Sequence, residues 1–346
     1  MNVAALNNLN SIRILEPTNI TPMKTTIYSL LSITACGIAF GQTTAYTTPV
    51  GYTTKTLAPN QFTLVGLTLH NPTIASGTID AEGATSVTDN ETNFSTALTA
   101  GSTYILELSN GALQEITSWS QGVLTTPNDI TSFVAPGDSY KIRKAATIAE
   151  IFGANNEAGL GKDTDGTFAG TDFIMLQNAS GAFDSFYYFD DGAGSTGWFS
   201  EQGDPAGNKA IAYPDGFFVK RAAGSPINLV VSGEVKKTAT GGVLSSGFNY
   251  LSGVAPAGLT LGTSGLQAFV APDTDGSLTG TDTVLIQQSN GTYVTAYYFN
   301  DGSTVGWYTD AGDSADNLSL DGGLLIKSIT GPKAFTMSVP ASYSGL

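Results

Sequence analysis

The sequence predicts an all-β protein of three small sandwich- or barrel-like modules, the last two an internal duplication, with one short helix near 147–152. Three observations carry that expectation. The first is a repeat: Asp163-Thr164-Asp165-Gly166 recurs as Asp273-Thr274-Asp275-Gly276, and aligning 163–192 with 273–302 without gaps gives 14 identities in 30 positions. Tyr187-Tyr188-Phe189 matches Tyr297-Tyr298-Phe299, and Gly197-Trp198 matches Gly306-Trp307 after a one-residue slip. Copies of about 100 residues mean duplicated domains rather than a short-period solenoid. The second is a strand pattern of short apolar runs such as Phe173–Leu176 and Thr283–Ile286, with Ser109-Asn110-Gly111 and Ser289-Asn290-Gly291 as hairpin turns. The third is that one segment carries helix-start chemistry. In Thr147-Ile148-Ala149-Glu150 the Thr hydroxyl and Glu carboxylate can each satisfy a free backbone N–H, and Gly153 can end the turn.

Taken from the N-terminus, Met23-Lys24, the apolar run Ile27–Phe40 and the small residues of Ala39-Phe40-Gly41 predict a secretory signal peptide. Cleavage is expected before Gln42, with Met23 as the true start and 1–41 as the leader. Ile33-Thr34-Ala35-Cys36 also fits a lipoprotein processing site; the short spacing from Met23 and the apolar residues beyond Cys36 weigh against a lipid anchor there. A first β module is expected over 43–146, with strands within 76–88, at 95–99, at 104–108 and at 112–119. The β repeats then cover 147–240 and 241–346.

Composition narrows the function classes. Of 346 residues only 12% are charged, and the net charge is −15, which argues against nucleic acid and anionic lipid as partners. One Cys and one His exclude Cys/His zinc sites and a disulfide framework. Any histidine-based triad would need His70, which lies in Leu69-His70-Asn71-Pro72 and reads as a surface turn residue.

Across the chain after the leader, the sequence resembles a conserved-hypothetical family of exported proteins of verrucomicrobial bacteria. The resemblance rests on Pro49-Val50-Gly51-Tyr52, Gly137-Asp138-Ser139-Tyr140-Lys141-Ile142, Ile148–Gly153, the Tyr187-Tyr188-Phe189…Gly197-Trp198 block, Gly216-Phe217-Phe218-Val219 and Ser232-Gly233-Glu234-Val235. It implies export and a related fold, and carries no mechanism.

Three constellations could carry chemistry. Asp163, Asp165 and Asp172, with Asp273, Asp275 and Asp282 in the second copy, place hard oxygen ligands on tight Gly turns, as Ca²⁺ requires. The competing reading is an Asp/Gly turn whose side chains cap their own backbone. Tyr188, Trp198, Tyr298 and Trp307 could stack on sugar rings, or bury themselves as ordinary hairpin aromatics. Asp190, Asp191, Glu201 and Asp204, opposite Asn300, Asp301, Asp310 and Asp313 in the repeat, could supply a glycosidase carboxylate pair, though solvated turn carboxylates are commoner. The expectation that follows is an exported, non-enzymatic structural or interaction protein, extracellular, at the cell surface or periplasmic. Self-association or an extracellular glycan or protein would be its partner, and Ca²⁺ its one candidate cofactor. The alternatives are a carbohydrate-binding protein using Trp198 and Trp307 and, third, a glycosidase-type enzyme.

Overall fold

The computed structural model describes residues 48–178 and 180–346. The leader, the Met23 start, the cleavage site and Cys36 lie outside the described residues. The fold is all-β, in antiparallel sheets with only two short α-helices among the described residues.

The chain enters through β1 (Val50–Leu57) and β2 (Gln61–Gly66). It then builds β3 (Thr73–Thr78), β4 (Ala81–Gly83), β5 (Ser86–Thr88), helix α1 (Phe94–Ala97), β6 (Tyr104–Leu108), β7 (Leu113–Ile116), β8 (Ser118–Trp119), β9 (Val123–Thr125) and β10 (Ser139–Lys144). These form two four-stranded sheets, ordered β3-β10-β6-β7 and β4-β5-β9-β8. They close over a core of their own that includes Val87, Phe94, Leu106, Leu124 and Ile142. The strand expected at 95–99 is instead α1: Phe94 is fully buried, and one helical turn, closed by Leu98 N–H donating to the Phe94 carbonyl, returns the chain once that ring is seated.

After β11 (Ala146–Thr147) comes α2 (Ile148–Phe152), where the capping box forms as expected. The first repeat continues with β12 (Phe173–Gln177), β13 (Phe183–Asp190), β14 (Thr196–Ser200), β15 (Ala210–Ile211), β16 (Gly216–Arg221) and β17 (Ile227–Glu234). The second has β18 (Thr240–Leu244), β19 (Gly247–Ser252), β20 (Thr283–Gln287), β21 (Tyr293–Asn300), β22 (Val305–Thr309), β23 (Gly323–Ser328) and β24 (Lys333–Met337).

Strand order shows how far the duplication extends. One five-stranded sheet runs β14-β13-β12-β16-β2 and the other β22-β21-β20-β23-β19. Each copy also carries a two-stranded ribbon, β1–β17 and β18–β24. Phe62 pairs with Lys220 as Phe248 pairs with Lys327, so β2 is the counterpart of β19. The first repeat therefore begins at β1, and the unit expected as a linear module over 43–146 is interleaved with it. Strands β1 and β2 belong to the repeat, and β3–β10 form a domain inserted between β2 and α2. The separate cores agree: Leu57, Val65 and Leu67 pack with Ile174, Trp198 and Phe217 rather than with the insert's core.

The two large sheets meet through Phe183 and Phe218 on one side and Tyr250 on the other, with ring centroids 5.0 and 5.4 Å apart. Matching glycines permit the approach. A Cβ at Gly216 would lie 2.7 Å from the Leu251 carbonyl oxygen, and one at Gly323 would lie 2.6 Å from Leu64 Cγ. Gln287 closes the outer edge of β2. Its Oε1 accepts from Leu64 N–H and its Nε2 donates to the Phe62 carbonyl, both at 2.7 Å, replacing a neighbouring strand.

Candidate functional site

The aromatic block turns inward. Trp198 is 3% and Trp307 1% exposed, Tyr188 is buried, and Tyr298 is half-buried against the core of the second repeat. Cross-strand pairing sets Trp198 against Tyr188 at 5.1 Å and Trp307 against Tyr298 at 5.4 Å. Helix α2 covers the first pair: Phe152 lies 5.9 Å from the Trp198 ring, and Trp198 Nε1 donates to the Gly153 carbonyl at 2.8 Å. A sugar platform needs an open ring face, so the expectation that these four residues bind carbohydrate is corrected: they build the cores. The more open rings alternate onto the other face. There Tyr297, Phe299 and Tyr308 are half-buried, whereas Phe168 covers Tyr187 in the first copy at 4.9 Å. Leu278 replaces Phe168 in the second copy and leaves Tyr297 more open.

The acidic loops divide into two parts. Asp172 is buried and paired with Arg221 at 3.2 Å, and it accepts from the N–H groups of Gly161 at 2.6 Å and Ala222 at 2.7 Å. Asp282 is buried against Lys333 and accepts from Ala271 and Ile329 at 2.8 Å each. These two carboxylates fasten the loops to the end of the sheet and are committed to cations already present. The expected three-Asp metal set is corrected accordingly, and no group of three or more His, Cys, Asp or Glu side chains converges among the described residues.

Asp163 and Asp273 differ. Each is buried, at 2% and 1% exposure, and accepts through Oδ1 from the backbone inside its own loop. The donors are Asp165 and Phe168 in one copy, Asp275 and Leu278 in the other, at 3.3–3.5 Å. In both, Oδ2 is buried with no hydrogen-bond partner. Phe168 and Leu278 turn the loop with φ of 59° and 57°, a left-handed conformation rare outside glycine. Exposed Asp165 is held below the usual carboxylate range by the Thr167 hydroxyl and N–H, and Asp275 by the Ser277 N–H and hydroxyl.

The acidic groups weighed as a glycosidase pair lie at the end of β13 and in the loops around it. Asp190 is drawn down by Lys162 at 2.7 Å and by the Gly192 N–H, and Asp191 by the N–H groups of Ala193 and Ser195. Glu201 and Asp204 are exposed.

His70 is not a surface residue. It is buried, packed at a tilt against the Tyr213 ring with centroids 4.3 Å apart, and tied by its backbone to Glu234. Around it lies a buried charged cluster that sequence reasoning missed. Arg143 contacts Glu107 at 3.2 Å and Glu234 at 2.5 Å, Tyr213 donates to Glu107, and Lys236 donates to the Ala239 carbonyl. Burial, reinforced by the nearby positive charges of Arg143 and Lys236, pushes His70 down to about 3. Burial pushes Lys236 down to about 8 and Tyr213 well above the ordinary phenol value. The members come from segments up to 166 residues apart (70 to 236), so no local pattern announces them.

Fold and sites together define a class: a duplicated antiparallel-sheet protein with a β domain inserted in its first copy. Comparison with protein-family models, with curated proteins and with solved structures finds no match to this chain.

Proposed function

We propose that this is an exported, non-enzymatic structural or interaction protein of the cell surface or extracellular matrix that assembles with copies of itself through sheet edges. The observation that carries the reading is the open edge of β7. Among the described residues β7 pairs only with β6, and a cleft of about 440 Å³ lies beside it, lined by Leu113, Gln114, Glu115, Lys209 and Ala210. Leu108 N–H donates to the Ala112 carbonyl, and bonded pairs alternate along an antiparallel ladder. The N–H groups of Leu113 and Glu115 therefore face the open edge, as strand addition requires. Val50, Tyr52 and Val230, exposed on the outer face of the β1–β17 ribbon, offer a second apolar contact.

The signal-peptide pattern and the resemblance to exported verrucomicrobial proteins support the location, and the low, acidic charge is consistent with a protein that contacts neither nucleic acid nor anionic lipid. Light scattering over a hundredfold concentration range tests the assembly. Mass rises with concentration in the native chain, and Glu115→Pro, which removes an outward N–H and spares the β6 ladder, suppresses the rise. A constant monomer mass at every concentration would falsify the proposal.

A further inference from the structure

The two Asp-Gly loops hold an anion in a place where burial demands a partner. Asp163 Oδ2 and Asp273 Oδ2 are carboxylate oxygens out of reach of water, and neither accepts a hydrogen bond. A buried charged oxygen without a counter-charge or donor is among the costliest groups a protein can keep. Here the arrangement occurs twice, 110 residues apart, with the partner oxygen Oδ1 capping the same loop positions in both copies. Arg221 and Lys333 are spent on Asp172 and Asp282, and Lys162, the chain neighbour of Asp163, is spent on Asp190, so neither loop draws its counter-charge from them.

The alternate positions of each loop carry oxygen donors. Numbering each loop from its first Asp, positions 1, 3 and 5 are Asp163, Asp165 and Thr167, and in the second copy Asp273, Asp275 and Ser277. Position 7 presents a backbone carbonyl, from Ala169 or Thr279, that accepts no hydrogen bond among the described residues. Alternate oxygens at positions 1, 3, 5 and 7 of a tight loop are the spacing with which a chain wraps Ca²⁺. Oδ1 of position 1 is already turned to the loop's own amides, which leaves Oδ2 for the ion.

We propose that each loop is a Ca²⁺ site, with Asp163 Oδ2 at the centre of the first and Asp273 Oδ2 at the centre of the second. Asp165 and Asp275 supply the second carboxylate; Thr167, Ser277 and the position-7 carbonyls supply neutral oxygens. Asp172 and Asp282 are not ligands. They pin the loop's end to the sheet and leave two carboxylates per ion, a donor set in the weak range of extracellular modules, with Kd on the order of 10⁻⁴–10⁻³ M. The site stands whether or not the protein self-assembles.

The test is calorimetric titration of the chelator-treated full chain with CaCl₂ into the millimolar range, paired with thermal melting in CaCl₂ and in EGTA. Two saturable sites and a higher melting temperature in calcium are expected. Asp163→Asn should leave one site, and Asp163→Asn with Asp273→Asn none. Should the buried substitutions disturb folding, the exposed pair Asp165→Asn and Asp275→Asn should remove binding without lowering the melting temperature in EGTA. The absence of saturable binding in the native chain, or a calcium-induced melting shift that survives both double substitutions, overturns the assignment.

Discussion

The single histidine makes one consequence of the buried cluster measurable without interference. His70 is enclosed with Tyr213 against its ring; the charges acting on it are Arg143 and Lys236, and Arg143 is itself paired with Glu107 and Glu234. Burial first, then the two cations, lowers its folded value from 6.5 to about 3. The sign follows from proton uptake. Below pH 6.5 the unfolded chain binds a proton at this site that the folded chain refuses, so stability present above 6.5 is lost as pH falls toward 3. At about 1.36 kcal/mol per pH unit the full loss is about 5 kcal/mol, of which about 2 kcal/mol has gone by pH 5. Urea unfolding of the native chain and of His70→Phe, which keeps a ring against Tyr213, should therefore diverge between pH 7.5 and 5: the native midpoint drops and the variant's drops by about 2 kcal/mol less. NMR of the lone imidazole supplies the direct reading. A midpoint near 6.5 in the folded protein, or equal pH slopes in the two chains, refutes the reasoning.

Two further outcomes follow from contacts in the fold. Arg143→Leu strips the cation from Glu107 and Glu234 together, and uncompensated buried charge of this kind costs about 3–5 kcal/mol; a urea-measured loss below about 1 kcal/mol would show that the cluster relaxes to solvent. Trp198→Phe should cost about 1 kcal/mol more than Trp307→Phe, because Trp198 Nε1 donates to Gly153 whereas Trp307 Nε1 is buried without a partner, and equal urea midpoints for the two variants would contradict that difference.

What could be read from the sequence were the features set by near neighbours. The Thr147–Glu150 capping box, the turns at Asn110-Gly111 and Asn290-Gly291, and the buried strands Phe173–Gln177 and Thr283–Gln287 each depend on residues within a few positions. The 110-residue repeat was legible because it compares the chain with itself. What could not be read depended on partners far away. Period-two alternation says that Tyr188 and Tyr187 face opposite ways but not which face α2 will cover, so Trp198 could be weighed as a sugar platform although Phe152 and Gly153 enclose it. Asp172 and Asp282 had the spacing of ligands, and only the folded chain brings Arg221 and Lys333 to them. Residues 95–99 read as a strand, and burial of the Phe94 ring just before them selects the helical turn instead.

The position of the charged cluster also explains why the insertion was harder to see than the duplication. In the second repeat β19 leads through Gly253–Thr260 directly into two 3-10 turns, Leu261–Thr263 and Leu266–Ala268. In the first, the same connection is opened after His70 and resumed at Ala145. The two ends of the insert lie side by side: Arg143 donates to the Asn71 carbonyl at 2.7 Å, and Asn71 Nδ2 donates to the Lys144 carbonyl at 3.2 Å. Adjacent ends let a domain enter a loop without moving the strands on either side, so β2 retains the register of β19 and the repeat survives intact. The joint itself must bury polar chain, and it does so with Arg143 and Glu107 from the insert against Tyr213, Glu234 and His70 from the repeat. The second copy has no insert and no such cluster among its described residues. His70, Glu107 and Arg143 are therefore a property of the splice rather than of the repeat, and self-comparison of the sequence passes over them for that reason.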